Sequence, residues 1–400
     1  GFLLGLVDVR RIGLFTLGSI LCGLSGNLVE LTAARVLQGL GGAMMVPVGR
    51  LVLFRSVEKT ALIATMAYLQ VPAQLGPVLG PPIGGFITTY LSWRWIFLVN
   101  VPLGLLGILM VTLFFDNPKD DTRRPLDWIG FLLTGASAFC VMYGIEAIGR
   151  SHDGLIVAFG LLVLGFVLGA LSLWHLRTSK HPLLDISVFR IATFRAAIFG
   201  GSLFRAGAGT LVFLLPLLLQ VVFGLSAFVS GTITFATAAG SLSMKLTARP
   251  IIRRFGFRNV ILVNGVISAA AISMCAFFNA GMPEYMIFVL LLIAGFFQSL
   301  QFTATQAMTY ADVEQPLMST ATSIASMTQQ LSRGFGISTV AVLLHLSLTW
   351  RGATALSTFD FKVAFAGAVA FALLSLIYGW VLHPDAAAEV SGHRPKSAQA

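Results

Sequence analysis

The sequence predicts an all-α, polytopic membrane protein with twelve complete spans and the tail of another. Three observations predict it. The chain of 400 residues is 56% hydrophobic and only 10% charged, where soluble domains carry roughly 25% charge. Its mean hydropathy is +0.88. Its apolar runs are long enough to cross a bilayer, which takes about 17 residues or more, and its basic residues gather in alternate turns between them.

In order, residues 1–7 (GFLLGLV) read as the end of a span, and the turn holding Arg10 and Arg11 precedes the first complete run, 12–28. Runs at 30–54, 60–88 and 95–115 follow, divided by Arg55 with Lys59 and by a Trp93-Arg94-Trp95 turn. The polar stretch 116–127 (DNPKDDTRRPLD) leads into 128–148 and 154–176, and 177–195 (RTSKHPLLDISVFRIATFR) closes that pair. Runs at 196–223, 226–247, 259–279, 284–309, 317–346 and 362–382 complete the chain. The longer ones are expected to tilt, kink or extend past the bilayer.

The two long polar stretches set a division, since membrane proteins are often built from two related six-helix halves. We expect an N-terminal bundle over 1–126 that lacks its first helix and most of its second, and two extra linking helices over 127–176. A cytoplasmic linker over 177–195, a C-terminal six-helix bundle over 196–384 and a disordered cytoplasmic tail over 385–400 are expected to follow.

The formal net charge of +10 invites a nucleic-acid reading, but the positions of the charges argue against it. With Arg10 and Arg11 placed inside, the inner turns hold seventeen Lys and Arg: this pair, Arg55, Lys59, Lys119, Arg123, Arg124, Arg177, Lys180, Arg190, Arg195, Arg249, Arg253, Arg254, Arg258, Arg394 and Lys396. The outer turns hold Arg94, Arg150, Arg351 and Lys362. Such a bias orients a protein in a membrane, with the C-terminus in the cytoplasm. The six Trp residues fall near span ends, where an interfacial aromatic belt belongs. Cys22, Cys140 and Cys275 have no metal-ligand spacing and read as packing residues.

Residues 75–104 carry the most specific pattern. Gly76-Pro77, Gly80-Pro81-Pro82 and Gly84-Gly85 stud an apolar run, a density that a soluble helix would not tolerate. In a membrane, glycines at 76, 80 and 84 place a bare stripe on one face for close helix approach, and the prolines kink the span.

Gly76-x3-Gly80-Pro81-x2-Gly84-Gly85 resembles the antiporter motif of the major facilitator superfamily. Trp93-Arg94-Trp95-Ile96-Phe97 with Asn100-Val101-Pro102-x-Gly104 resembles its EmrB/QacA group of fourteen-helix drug:proton antiporters. The resemblance covers almost the whole chain, which reads as N-terminally truncated within that group. It implies a two-bundle fold with an extra central helix pair. It also implies secondary export of apolar or cationic small molecules against inward proton flow, by alternating access. No cofactor is then needed beyond the proton gradient, and the expected setting is the inner membrane, with the lipid bilayer around a monomer. Arg10 and Arg11 after Asp8, and Arg253 and Arg254 in RPIIRRFGFR, resemble the family's basic gating loops. The first copy departs from the pattern, because Leu4 stands where a glycine is expected.

Charges within spans cost at least about 2.5–3.5 kcal/mol each on insertion scales. Arg35 shares a face with Gln38 at i,i+3, beside Gly39, Gly41 and Gly42. The segment resembles the family's arginine motif for proton transfer. A guanidinium does not titrate, so its role would be to set the charge state of a carboxylate. Its alternatives are to reach the interface or to pair with Glu30. Glu146 is the carboxylate most enclosed by apolar sequence, either a proton or cation site or an interfacial side chain beside Arg150. Arg205, among Gly200, Gly201, Gly207 and Gly209, reads as a charge on a bent helix. Lys245 is expected to snorkel to the inner interface, and Arg333 with Gln329 to shape a pathway. Gln220, Gln298 and Gln301 read as substrate contacts or as interhelical hydrogen bonds.

An enzyme is not expected, since the six histidines are scattered over different span ends and loops. No Gly-x4-Gly-Lys-Ser/Thr loop is present, so ATP is not the expected driver. A transporter fitted to one metabolite, or an inactive truncated chain, are the alternatives.

Overall fold

The structure, a computed structural model, describes residues 9–43, 45, 76, 79–80, 82–114, 127–147, 154–179, 184–314 and 317–383. Asp8, Pro77, Pro81, the basic residues at 55, 59, 119, 123, 124, 180, 394 and 396, and the tail 385–400 lie outside them, as does the side chain of Glu146. Among the described residues every regular element is helical, and nine stretches are long and apolar enough to cross a membrane. They match the fourth to twelfth expected spans. Much of 30–54 and most of 60–88 lie outside the described residues.

The chain divides into two compact units, Gly1–Leu126 with Ser226–Gly231, and Asp127–Leu225 with Thr232–Ala400. In the first, α1 (Val9–Leu24) and α2 (Leu28–Ala43) form an antiparallel pair. Asn27 starts α2: its Oδ1 accepts from the Glu30 amide at 2.9 Å, while the Glu30 carboxylate accepts from the Gly26 amide at 2.8 Å and from Asn27 Nδ2 at 2.7 Å. This closes the exposed amides at the helix start. Residues 82–90 are helical, the Trp93-Arg94 turn follows, and α3 (Trp95–Leu98) runs into α4 (Asn100–Phe114), which packs on α1. Pro102 lies in the first turn of α4, where its missing N–H breaks no bond.

Among the described residues, a Cβ at Gly76, Gly80 or Gly84 meets nothing within 4 Å, and one at Gly85 would stand 2.5 Å from the Ala227 carbonyl oxygen. Phe86 and Tyr90 pack edge-on against Phe228 beside that contact.

In the second unit, α5 (Trp128–Ala147) and α6 (Gly154–Thr178) form a hairpin. Thr134 Oγ1 and Ser172 Oγ lie 2.7 Å apart, and Ser137 Oγ donates to the Gly165 carbonyl at 2.8 Å. Asp127 closes its base, accepting from the Gly130 amide at 2.9 Å and lying 2.8 Å from His175 Nε2. A 3₁₀ turn (Ile186–Arg190) leads into α7 (Ala192–Ala208), the helix around which α10, α11 and α12 gather. α8 (Leu211–Leu217) follows a turn at Gly209 and Thr210, so the seventh span is bent as expected. Pro216 cannot donate to the ladder, and the backbone widens into a π-turn over Leu218–Val222.

Next come α9 (Ala227–Cys275), α10 (Glu284–Ala311), α11 (Met318–Trp350), α12 (Thr358–Leu374) and α13 (Leu376–Trp380). Their contacts are made backbone to backbone at glycines. A Cβ at Gly240 would strike the Leu292 carbonyl, one at Gly295 that of Thr237, one at Gly207 that of Ala368 and one at Gly336 that of Ala206. With lipid outside, close van der Waals contact of this kind is what holds membrane helices together. Asn264 Nδ2 adds bonds to Gln301 Oε1 and the Phe297 carbonyl, both at 2.9 Å.

The basic segment 249–258 holds the break between two helices, and the break is tight: it falls at Gly256, whose φ of 73° and ψ of 163° suit glycine alone. Arg253 and Arg254 therefore project from helix, and Arg254 lies 5.7 Å from the Phe255 ring centroid.

The α11–α12 turn is the most tightly bonded described segment. Gly352, at φ 61°, ends α11 with the Gly352 amide bonded to the Thr349 carbonyl at 3.0 Å and the Ala353 amide to that of Leu348 at 3.2 Å. Ser357 and Asp360 form a capping box at the start of α12. The fully buried Asp360 also accepts from Ser347 Oγ at 2.6 Å, from Arg351 Nε at 2.9 Å and from Arg351 Nη2. Asp360→Ala is expected to destabilise the protein by about 2 kcal/mol, less than a wholly buried pair because Arg351 is partly exposed. The check is the thermal unfolding midpoint of detergent-purified protein, with Asp360→Asn falling between the two; an unshifted midpoint for Asp360→Ala contradicts the assignment.

Candidate functional site

Two polar nodes stand out, one in each unit. The first joins α1, α2 and α3. Gln38 is 5% exposed because α1 and α2 meet at Gly18, where a Cβ would lie 2.6 Å from the Gln38 backbone, and at Gly41, where one would lie 2.5 Å from the Phe15 amide. Its Nε2 donates to Ser19 Oγ at 2.7 Å, and Ser19 Oγ donates to the Phe15 carbonyl at 2.9 Å. Its Oε1 accepts from Arg35 Nη1 at 3.0 Å and lies 3.9 Å from Cys22 Sγ. The Arg35 guanidinium carbon lies 5.2 Å from the Phe97 ring centroid, within cation–π range.

The predicted i,i+3 pairing of Arg35 and Gln38 is thus present. Pairing of Arg35 with Glu30 is not, because both Glu30 oxygens are engaged at the helix cap. Nearby, Arg94 donates from Nη2 to the Ser25 carbonyl at 3.2 Å and lies 4.9 Å from the Trp93 ring centroid, fixing the α3 turn to the α1–α2 turn. Ser19 and Phe97 were missed by sequence reasoning, since neither lies at helical spacing from Arg35.

The second node surrounds Arg205 on α7, which is 6% exposed. Its guanidinium carbon lies 5.7 Å from the centroid of Phe302 on α10, and Phe302 packs edge-on to Phe204 at 5.2 Å. Gly201 makes room for it: a Cβ there would stand 3.0 Å from Arg205 Nη1. On α11, Cγ of Arg333 would lie 3.5 Å from a Cβ at Gly209, one turn along α7 from Arg205.

The other predicted residues are distributed unevenly. Gln301 is spent on packing, with Oε1 on Asn264 and Nε2 donating to the Ile261 carbonyl at 3.1 Å. Gln298, one turn before Phe302, is 7% exposed and its Nε2 has no partner. Gln329 is half-buried one turn before Arg333. Gln220 is exposed in the π-turn, about four turns of helix from Arg205. Lys245 Nζ donates to Thr303 Oγ1 on α10 at 2.8 Å, a neutral partner within the unit.

A family model described as the Major Facilitator Superfamily matches residues 9–337 and 197–399. The chain belongs to the Major Facilitator Superfamily. It is therefore a multi-pass membrane transporter of small molecules, not an enzyme. Superfamily relatives include proteins provisionally named multidrug resistance protein MdtD. That of Enterobacter sp. (strain 638) is 35% identical over 395 residues, covering 96% of this chain and 82% of that protein. That of Pectobacterium atrosepticum is 36% identical over 336 residues, covering 83% and 71%. Among solved structures, an auto-inhibited POT family peptide transporter aligns with a TM-score of 0.64 at 13% identity, over 94% of this chain and 82% of that one. A bacterial homologue of the human lysosomal transporter Spinster, inward-facing and unoccupied, aligns at 0.54 and 14% identity, over 96% and 81%. At these identities the two structures speak to the superfamily fold alone.

The Gly18 contact generates a direct test of the first node. Gly18→Val must part α1 from α2 and is expected to cost about 1–3 kcal/mol. Cys22 is fully buried now, so maleimide labelling of Cys22 is expected to rise several-fold in this variant. Labelling unchanged from the parent contradicts the packing described.

Proposed function

We propose that the chain exports amphipathic compounds, apolar or cationic, in exchange for protons by alternating access, with its C-terminus in the cytoplasm of the inner membrane. The names of the MdtD relatives support the substrate class, and the segregation of basic residues supports the orientation. The incomplete N-terminal bundle over 1–126 and the six-helix bundle over 196–384 would rock about a shared substrate space.

The observation that carries the proton reading is the Arg35–Gln38–Ser19 node. A permanent charge is held by a neutral amide and an aromatic face, with no carboxylate bound to it among the described residues. Such a guanidinium is free to depress the pKa of an arriving carboxylate and so release its proton. In this reading Gln38 positions Arg35, Glu146 is the carboxylate on the proton path, and the Gly76–Gly85 motif sets helix approach. Arg10, Arg11, Arg253 and Arg254 act at the inner gate, while Gln298 and Gln329 lie along the substrate path beside Arg205 and Arg333, with Gln220 farther along it and Gln301 holding its helices together.

The test is accumulation of ethidium by everted vesicles, with the inward-acid pH gradient present or collapsed. Gradient-dependent uptake is expected, and Arg35→Gln is expected to reduce it about tenfold or more, with Arg35→Lys intermediate because it keeps charge but loses the planar fork. Uptake indifferent to the gradient contradicts proton antiport.

A further inference from the structure

We propose that Arg205 and Arg333 form a recognition site for the carboxylate of an amphipathic organic acid, which widens the substrate class of the export reading and rests on it. The argument begins with charge. A guanidinium stays protonated at any pH the cell meets, so Arg205 is a fixed positive charge on a span helix and is 6% exposed. Buried charges are ordinarily paired, because removal from water without a counter-charge is costly. Arg205 has no such partner among the described residues. Arg333 on α11 stands close by, its Cγ 3.5 Å from where a Cβ at Gly209 would lie, and it adds positive charge rather than a counter-charge.

Arg333 adds to the imbalance. It presents a second guanidinium from α11, exposed where Arg205 is buried, and it too has no ion pair among the described residues. The contrast is sharp elsewhere in the same unit. Arg351 is bonded to Asp360, and Lys245 donates to Thr303. Arg205 and Arg333 thus place two cations near one another with no ion pair to either among the described residues.

The setting is built rather than incidental. Gly201 leaves the space that Arg205 Nη1 occupies, and α7 and α11 touch at Ala206 and Gly336, so both arginines rise from a rigid contact. The Phe302 ring lies against the buried guanidinium, backed edge-on by Phe204, and supplies an apolar wall. A planar guanidinium fork matches a carboxylate through two parallel hydrogen bonds. An apolar body attached to that carboxylate would lie on the rings. This chemistry points to an amphipathic acid rather than to an inorganic anion, which would leave the aromatic wall unused.

The experiment uses the steroid monocarboxylate fusidate and its methyl ester, the same body without the charge. Equilibrium dialysis with the purified full chain in non-ionic detergent is expected to show the acid bound about tenfold more tightly than the ester. Arg333→Gln, at an exposed site, and Arg205→Met are each expected to bring that ratio close to one, while Arg205→Lys retains several-fold preference. Size-exclusion profiles separate misfolded variants, and Arg333→Gln keeps the test decisive if Arg205→Met does not fold. Equal binding of acid and ester, or a ratio that neither variant changes, overturns the proposal. So does loss of saturable acid binding when phosphatidylglycerol is added, which would assign the arginines to a lipid headgroup. Selective acid binding without gradient-driven uptake in vesicles upholds the site and counts against export instead.

Discussion

Positive charge that cannot be removed, placed on helices that cross an apolar medium, is the constraint around which the rest of this molecule is arranged. Arg35 and Arg205 keep their protons in any physiological environment, so their surroundings must adapt to them. At Arg35 the adaptation is an amide, a hydroxyl and an aromatic face. At Arg205 it is an aromatic face and space left by glycine. Neither neutralises the charge, so both arginines remain able to act on a group that arrives.

Glycine makes those settings possible. Gln38 receives Arg35 only because Gly18 and Gly41 let two helices meet at backbone distance, and the Arg205 helix is gripped through Gly207 and Gly336. These contacts pack the helices of each unit at backbone distance. Contacts of greater chemical strength are kept for turns: the Asp360 cluster joins two helices at one end, where it fixes their connection without placing a charge on any pathway.

Much of the fold was legible in the sequence because bilayer thickness imposes a length on every span. The runs at 128–148, 284–309 and 317–346 overlie α5, α10 and α11 closely, and the bend after Arg205 was announced by its flanking glycines. The Arg35–Gln38 pair was legible too, since i,i+3 spacing is a local property. What stayed hidden depends on which helices become neighbours. Gln38 meets Ser19, Asn264 meets Gln301, and Lys245 meets Thr303 across 19, 37 and 58 residues. No periodicity records such pairings.

The proposal that an anion reaches Arg205 beside Arg333 is the part of the account that thiol chemistry measures most directly. With the three native cysteines buried, Arg205→Cys would present a new thiol beside the remaining charge of Arg333. Its modification by a small anionic methanethiosulfonate is predicted to outpace that by a cationic one of similar size, once each rate is divided by its rate with a free thiol. No modification by either reagent, as for a side chain turned to lipid, or a normalised rate favouring the cation would contradict the account.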